Sequence, residues 1–230
     1  MLSNQEIIVA NNVYKTYQSK DVKVEALKGV SLSVNQGEIV TIMGPSGCGK
    51  TTLLNCLSGL DEIDSGEIII RGSDITQMSD NQLTNFRGKN MGFVFQAYNL
   101  LPVLTARENV ELPLVLAGTS QSTSKNIAED RLDLVGLADR YTHLPTELSG
   151  GEQQRVAIAR AFANDPAIIW ADELTGNLDS KTQDEVIDLI RKMNKDNNQT
   201  FIIVTHSDEV GSIGHRTIRM RDGLIEDDGK

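Results

Sequence analysis

The sequence has few cysteines, a deficit of positive charge and no long apolar run, and each shortage excludes a class of protein. Two cysteines, Cys48 and Cys56, are too few for a disulfide framework and lack the spacing of a metal site. No stretch reaches the roughly 18 consecutive apolar residues that a membrane-spanning helix requires. With 22 Lys and Arg against 32 Asp and Glu, the 230-residue chain carries a net charge of −10. Nucleic acid is therefore a poor default partner, and any bound anion needs a local site.

Strand and helix patterns alternate along most of the chain, which predicts an α/β protein with a parallel sheet. Residues 5 to 43 predict two antiparallel, half-exposed strands and then a buried one. Further strands are predicted in "MGFVFQ", "AIIWAD" and "TFIIVTH", and a hairpin is predicted to turn at Asp222-Gly223. Between about residues 105 and 147, short helices joined by the polar connector "TSQSTSK" predict a separate subdomain.

The segment "GPSGCGKT" matches the phosphate-loop pattern G-x-x-x-x-G-K-[ST] in full. An apolar strand precedes it and an apolar-striped helix follows it, so a glycine turn that merely links the two is the weaker alternative. Glycines let successive backbone N–H groups face an anion, Lys50 brings a charge to the outer phosphates, and Thr51 offers a hydroxyl to Mg²⁺. The predicted nucleotide-binding residues here are Gly44, Pro45, Ser46, Gly47, Cys48, Gly49, Lys50, Thr51 and Thr52.

A second helix start, "LSGGEQQRVAIARA", also has the character of an anion site. Ser149 and Glu152 have the spacing of a capping box, which is a structural explanation for both. It does not explain Gly150 and Gly151, because glycine in a helix costs about 1 kcal/mol relative to alanine. We therefore expect a ligand to approach this backbone closely, as phosphates do at helix N-termini.

The hexapeptide "LSGGEQ" resembles the signature motif of ATP-binding-cassette (ABC) ATPases, and the resemblance extends from Tyr17 to the strand after His206. It implies a P-loop NTPase fold of the ABC type, with a parallel core sheet, an antiparallel β subdomain and a helical subdomain. The single domain would span residues 1–230, with the core and β subdomain at about 1–95 and 150–230 and the helical subdomain at about 97–148. It also implies two head-to-tail copies that enclose two ATP molecules, each signature covering the γ-phosphate held by the other copy.

Two adjacent carboxylates, Asp172 and Glu173, follow the apolar strand "AIIWA". A solvated acidic pair is the ordinary interpretation of such neighbours. Their place after a buried strand, downstream of the signature, favours a catalytic one. Asp172 fits the position that supports Mg²⁺, acting through water or through Thr51, and Glu173 fits the general base or water-positioning residue for attack on the γ-phosphate.

The remaining site residues are implied by the family resemblance. His206 resembles the switch histidine that contacts the γ-phosphate, and Gln96 resembles the Q-loop glutamine that reaches Mg²⁺ and the attacking water. "GNLDS" resembles the D-loop, with Asp179 at the subunit interface. Tyr17 resembles the aromatic residue that stacks on adenine, with the nearby Tyr14 and simple core packing as alternatives.

One position departs from the family pattern. The residue after Glu173 is commonly proline in ABC ATPases, whereas here it is Leu174. Leucine frees a backbone N–H and relaxes the conformation of Glu173. Because position 173 itself is Glu and not Gln, we expect hydrolysis to be intact.

The segments "FRGKNMGFVFQ" and "LTGNLDSKT" resemble the lipoprotein-releasing and macrolide-export branch of the family. The resemblance implies the cytosolic ATPase subunit of a transporter, peripheral at the cytoplasmic face of the membrane and docked to a permease near Gln96 and the helical subdomain. Its permease would work by mechanotransmission. One alternative is a non-transport module, such as a cell-division-type signalling ATPase acting on a membrane partner. A nucleic-acid or ribosome ABC protein is disfavoured by the single compact cassette and the negative charge.

Overall fold

The computed structural model describes residues 5–19 and 22–229, which form two compact units. The first unit takes Met1–Asn85 and Met193–Lys230, and the second takes Phe86–Lys192. The division into core and helical subdomain that the sequence suggests stays a prediction.

Strands and helices alternate along the chain as the sequence patterns predict. The strands are β1 (Glu6–Ser19), β2 (Val22–Asn35), β3 (Ile39–Met43), β4 (Ser65–Ile70), β5 (Ser73–Asp74), β6 (Met91–Phe95), β7 (Ile168–Asp172), β8 (Thr200–Val204), β9 (Arg216–Arg221) and β10 (Leu224–Asp227). The helices are α1 (Lys50–Leu57), α2 (Asp80–Asn90), α3 (Ala106–Leu116), α4 (Gln121–Leu134), α5 (Gly150–Ala161), α6 (Ser180–Asn197) and α7 (Asp208–Gly211). Short 3₁₀ turns span Ile75–Gln77 and Pro145–Glu147.

The first unit contains an antiparallel sheet and a largely parallel one. The antiparallel sheet has the strand order β2-β1-β4-β5, and the predicted antiparallel relation of β1 and β2 is confirmed. In the other, β3 runs parallel to both β8 and β9, and β10 closes a hairpin with β9. Every residue of β3 and β8 is buried, which explains their continuous apolar sequences. Helix α1 packs its leucine face against β8.

A buried ion pair joins β9 to the turn before β3. Arg216 donates from Nε to Glu38 at 3.0 Å and from Nη1 to Asp228 at 2.7 Å. The side chains of Arg216 and Glu38 are each only 6% exposed. Removing Arg216 would leave the buried carboxylate of Glu38 without a counter-charge, so we expect this pair to matter for folding.

The second unit combines the parallel pair β6 and β7 with three packed helices. Helix α5 contacts β6, α3 and α4. The buried Asn109 of α3 shapes the loop that precedes this helix. Its Oδ1 accepts from Leu101 N at 2.8 Å, and its Nδ2 donates to Leu104 O at 3.0 Å. The segment after β6 is therefore held in place by a polar side chain with several partners.

One local prediction from the sequence is corrected, and one helix was missed. The connector "TSQSTSK" is not a loop throughout, because α4 begins at Gln121 with Ser120 as its N-cap, accepting from Thr123 N at 3.3 Å. Helix α2 was not predicted at all. None of its residues is buried, so its sequence carries no apolar stripe. No helix in the described ranges is long and apolar enough to cross a membrane.

Candidate functional site

The phosphate loop joins β3 to α1 in the first unit, and close backbone neighbours require two of its three glycines. Gly44 and Gly49 have φ values of 154° and 103°. A β-carbon on Gly44 would lie 2.2 Å from Met220 O, and one on Gly49 would lie 2.5 Å from Ala26 O. Gly47, with φ of 80°, has nothing within 4 Å of its β-carbon position. The loop is thus packed from behind and open at its tip, where an anion can enter.

The start of α1 presents a positive end without a competing carboxylate. Its N-cap residue is Gly49, which has no side chain to accept from the helix N–H groups. The first turn contains no acidic residue. The buried Lys50 donates from Nζ to Gly44 O at 2.8 Å and to Pro45 O at 3.0 Å. Lysine and helix start therefore converge on the loop, as an anion site requires.

The thiol of Cys48 packs under the loop and does not face solvent. A β-carbon on Gly44 would lie 2.8 Å from Cys48 Sγ, and Cys48 is buried. Its carbonyl accepts from Gly223 N at 3.0 Å, and Gly223 O in turn accepts from Lys28 N at 3.0 Å. The Asp222-Gly223 hairpin turn thereby braces the phosphate loop against β2.

A cavity of about 530 Å³ opens beside the loop within the first unit. Tyr17 lines it, whereas Tyr14 is not among its described lining residues and packs instead on Gly29. This favours Tyr17 over Tyr14 as a platform for a base. Strand pairing brings further residues to the cavity, and for that reason the sequence alone did not indicate them. These lining residues are Val24, Glu25, Ala26, Lys28, Asp222 and Gly223.

His206 follows β8 at the same edge of the sheet as the phosphate loop. Strands β3 and β8 are parallel with Ile42 opposite Val204, so His206 and Gly44 each stand two positions beyond that pair. Thr205 N donates to Ile42 O at 3.1 Å and fixes the exit of β8. The His206 residue is exposed.

The second unit brings Gln96 beside the carboxylates. Strands β6 and β7 are parallel with Phe95 opposite Asp172, so the next residues, Gln96 and Glu173, leave the sheet together. Asn177 Nδ2 donates to Gln96 O at 2.9 Å. The predicted Q-loop and D-loop are therefore hydrogen-bonded within one chain.

Glu173 has a left-handed backbone, with φ of 50°. A non-glycine residue in this region stores on the order of 1–2 kcal/mol of strain, which is typical of functional positions. Leu174 is buried, and its carbonyl accepts from Gln154 Nε2 at 2.6 Å. Leucine at this position leaves Glu173 free of the extended bias that a following proline imposes.

The signature segment forms the predicted capping box at the start of α5. Ser149 Oγ accepts from Glu152 N at 3.3 Å, while Glu152 Oε2 accepts from Ser149 N at 2.8 Å. Arg140 Nε donates to Glu152 Oε1 at 2.9 Å. Hydrogen bonds from Ser149, and then from Arg140, lower the pKa of Glu152 from 4.5 to about 2, outweighing burial. Arg140 was missed from the sequence, and it offsets a negative charge at a helix start expected to hold phosphate.

The glycines of the signature have close neighbours in their own chain. A β-carbon on Gly151 would lie 2.3 Å from Thr182 Cγ2, and one on Gly150 would lie 3.1 Å from Tyr98 Oη. An approaching ligand is therefore not the sole reason for glycine here. The binding of phosphate by Ser149, Gly150, Gly151 and Glu152 stays a prediction.

Asp179 caps α6. Its carboxylate accepts from Thr182 Oγ1 at 2.7 Å and from Thr182 N at 3.1 Å, and these bonds lower its pKa. An intrachain role is thus sufficient to explain this aspartate, and its place at a subunit interface stays a prediction.

The oxygen donors that the sequence suggests for Mg²⁺ suit that ion. A hydroxyl, an amide and a carboxylate from Thr51, Gln96 and Asp172 are hard ligands, and Mg²⁺ is usually bound by few protein groups together with phosphates. Among the described residues, no cluster of three or more His, Cys, Asp and Glu side chains could hold a metal alone. The binding of Mg²⁺ by these three residues stays a prediction.

Comparisons with known proteins identify the family. The family description "ABC transporter" matches residues 27–176. The chain is 47% identical to the lipoprotein-releasing system ATP-binding protein LolD of Cytophaga hutchinsonii, over 96% of this chain and 99% of that protein. It is 46% identical to the macrolide export ATP-binding/permease protein MacB of Bdellovibrio bacteriovorus, over 96% of this chain but 34% of that protein.

A solved structure agrees with the sequence comparisons. It is the dimeric structure of a post-hydrolysis state of the cassette MJ0796 of Methanocaldococcus jannaschii, bound to ADP and Pi. The two proteins are 43% identical and superpose with a TM-score of 0.90, over 97% of this chain and 98% of that one. The predicted P-loop NTPase fold of the ABC type is therefore confirmed. The chain belongs to the ABC transporter family, as one of its ATP-binding, ATP-hydrolysing domains.

Proposed function

We propose that this ATPase drives a membrane permease of the lipoprotein-release or macrolide-export type through ATP-dependent head-to-tail dimerisation. The observation that carries the proposal is the pairing, in one chain, of a complete phosphate loop with a second exposed helix start at Gly150. One such site suffices to bind a triphosphate. A second is useful if it acts on the nucleotide of another copy.

In the proposed mechanism, the phosphate loop and Lys50 hold the ATP phosphates. Glu173 accepts a proton from water as the water oxygen attacks the γ-phosphorus, and the bond to the β–γ bridging oxygen breaks. His206 hydrogen-bonds the γ-phosphate and orients that water. The left-handed φ of Glu173 supports this role, because the turn fixes where its carboxylate leaves the strand.

Thr51, Gln96 and Asp172 would hold Mg²⁺, which supplies charge neutralisation for the phosphate oxygens. Gln96 is the member of this set that also connects to the D-loop, through Asn177. Binding or loss of the metal at Gln96 would in this way shift the D-loop, the segment that we assign to the subunit interface.

In the proposed dimer, each signature helix closes over the γ-phosphate of the partner copy. Arg140 supports this assignment, because it offsets the charge of Glu152 in the first turn of α5. Support also comes from the similar cassette MJ0796, whose structure is dimeric with ADP and Pi. ATP binding would close the pair, and hydrolysis would reopen it.

The permease would dock on exposed apolar side chains of the second unit. Val103, in the segment after Gln96, is 80% exposed, and Leu116 at the end of α3 is 79% exposed. Leu101 and Val115 give each of these two segments a second exposed apolar side chain, and exposed large apolar side chains are typical of interaction surfaces. Docking would hold the chain peripherally at the cytoplasmic face of the membrane.

The test is reconstitution with the permease encoded beside this gene. We expect a four-helix membrane protein with a large external domain to raise ATP hydrolysis severalfold. Val103→Asp and Leu116→Asp should remove the stimulation and keep the basal rate. Leu224→Asp, at an exposed leucine of the first unit, is the matched control and should retain stimulation. Stimulation by a six-helix importer permease alone would contradict the proposed branch, and stimulation without substrate movement would favour the signalling alternative.

A further inference from the structure

The ring of Tyr17 is fixed by a small charged network in the first unit. Its phenol donates from Oη to Asp61 Oδ2 at 2.6 Å, and the other oxygen of Asp61 accepts from Lys15 Nζ at 2.8 Å. Lys15 Nζ also donates to Glu62 O at 2.6 Å and lies 5.1 Å from the centroid of the Tyr17 ring. The aromatic ring is thus held at its hydroxyl and along one side.

Asp61 is itself attached to the helix that starts at the phosphate loop. Its backbone N donates to the carbonyl of Asn55 in α1 at 3.1 Å. Lys50 and Thr51 form the first turn of the same helix. Helix α1 therefore carries the phosphate end of the cavity at its start and, through Asp61, anchors the Tyr17 end beyond its last turn.

Asp61 and Lys15 both stay charged, because the hydrogen bonds and the charge attraction between them outweigh the cost of burial. Burial raises the pKa of Asp61, but hydrogen bonds from Lys15 and Tyr17 prevail and hold it below its ordinary value. Burial lowers the pKa of Lys15, but the hydrogen bond and charge of Asp61 prevail and raise it. The two groups remain an ion pair at neutral pH.

Tyr17 and Lys15 differ in their relation to the cavity. Tyr17 lines the cavity beside the phosphate loop, whereas Lys15 is almost fully buried and is not among the described residues that line it. The cavity is therefore bordered by the aromatic ring and not by the ammonium group. Aromatic stacking on a base is worth about 1–3 kcal/mol.

We propose that Asp61, held by Lys15, is the positioning residue that sets the Tyr17 ring as the base platform of the nucleotide cavity. The proposal rests on the nucleotide site of the proposed function and on one prediction from the sequence, namely that Tyr17 stacks on the base of ATP. It adds that stacking depends on a carboxylate 44 residues away in sequence, which contacts the ring and not the nucleotide. Asp61 acts on affinity for the base and leaves the phosphate subsite unchanged.

The test compares ATP with inorganic tripolyphosphate as competitors of a fluorescent ATP analogue. We expect Asp61→Ala to weaken ATP about fivefold and Tyr17→Ala about tenfold, as expected from partial and complete loss of one stacking contact. Neither variant should change the affinity for tripolyphosphate. Tyr17→Phe removes the hydroxyl that donates to Asp61 and also bonds Thr52. It should resemble Asp61→Ala in its effect on ATP, and it guards against a folding defect.

Double variants separate positioning from general damage. On the Tyr17→Ala background, Asp61→Ala should have no further effect on ATP affinity, because its action passes through the ring. Glu67→Ala is the matched control, since Glu67 also accepts a hydrogen bond from β1, at Asn11, but lies outside the cavity lining. It should leave both affinities unchanged.

The remaining outcomes contradict identified parts of the account. Equal weakening of ATP and tripolyphosphate by Asp61→Ala would show a structural role through α1 and overturn the inference. An unchanged ATP affinity in Asp61→Ala, with a weakened one in Tyr17→Ala, would overturn it too. An unchanged affinity in Tyr17→Ala would instead remove Tyr17 from the proposed nucleotide site, whatever Asp61 does.

Discussion

The methyl group of Thr182 lies against the backbone of Gly151, where an added β-carbon would stand 2.3 Å from Thr182 Cγ2. Thr182 also donates to the Asp179 carboxylate that caps α6, from Oγ1 at 2.7 Å and from N at 3.1 Å. The start of the signature helix and the start of α6 are therefore packed together. A substitution at Gly151 would disturb both, which makes Gly150 the better position for testing phosphate binding.

Gly150→Glu should separate helix stability from phosphate binding. A carboxylate in the first turn of α5 favours the helix dipole, yet it opposes an incoming phosphate. We expect ATP hydrolysis to fall more than about tenfold, because a repulsion of about 1.4 kcal/mol corresponds to that factor. ATP binding to the isolated monomer should stay near normal, and competition binding beside a steady-state ATPase assay measures both.

Gly150→Ala is the control for that experiment. Its β-carbon would meet only the terminal oxygen of Tyr98, at 3.1 Å, and that side chain can move. We expect it to retain most of the activity. If Gly150→Glu were as active as Gly150→Ala, the signature helix would not be a phosphate site.

Glu152 should contribute to stability in a pH-dependent way. Its pKa is lowered from 4.5 to about 2 in the folded chain, so its contribution is complete above 4.5 and is lost as the pH falls toward 2. The difference in free energy of unfolding between the wild-type chain and Glu152→Gln should shrink across that window. Urea unfolding at a series of pH values measures it, with the exposed Glu226→Gln as control. A difference that grew on acidification would contradict the assignment.

Arg216 should contribute far more to the free energy of unfolding than Arg221, at the other end of the same strand. Arg216→Met leaves the buried carboxylate of Glu38 with the hydrogen bond from Asn35 N but without its cationic partner, and breaking a buried pair costs about 3–5 kcal/mol. Arg221→Met removes only an exposed side chain on β9, whose pairs are worth at most about 1 kcal/mol. Urea unfolding should show the contrast, and equal losses would contradict the importance of the Arg216 pair.

Removing divalent metal should stop hydrolysis without emptying the nucleotide site. Lys50 and the start of α1 are independent of the metal, so ATP should still bind in excess chelator, more weakly. Hydrolysis should return when Mg²⁺ is restored, which an ATPase assay with a chelator titration measures. Full turnover without divalent metal would contradict the roles assigned to Thr51, Gln96 and Asp172.

The sequence allowed the phosphate loop, the capping box and the parallel strands to be predicted because each depends on local pattern. Positions next to strand ends were predictable for the same reason, since parallel strands place Gln96 beside Glu173 once the strands are known. The apolar character of β3 and β8 likewise indicates burial on both faces. Periodicity and motif spacing were therefore sufficient to predict these parts of the fold and the site.

Two kinds of feature could not be predicted: contacts between residues far apart in sequence, and elements that carry no apolar pattern. Helix α2 has no buried residue and so no periodic signal. The connection of Tyr17 to Asp61 joins a strand to a turn that no motif relates. Arg140 lies outside the signature segment, and only the fold brings it to Glu152. Only the packing around Gly151 showed that its own chain also requires glycine there.

The most direct test of the account is the mass of Glu173→Gln in solution with ATP. Losing a general base typically slows catalysis about 10²–10⁴-fold, so ATP should persist long enough for the closed pair to accumulate. Light scattering should give twice the monomer mass with ATP and Mg²⁺ and the monomer mass with ADP. A monomer under both conditions, or a Glu173→Gln variant that hydrolyses ATP at the wild-type rate, would contradict ATP-driven dimerisation with Glu173 as its base.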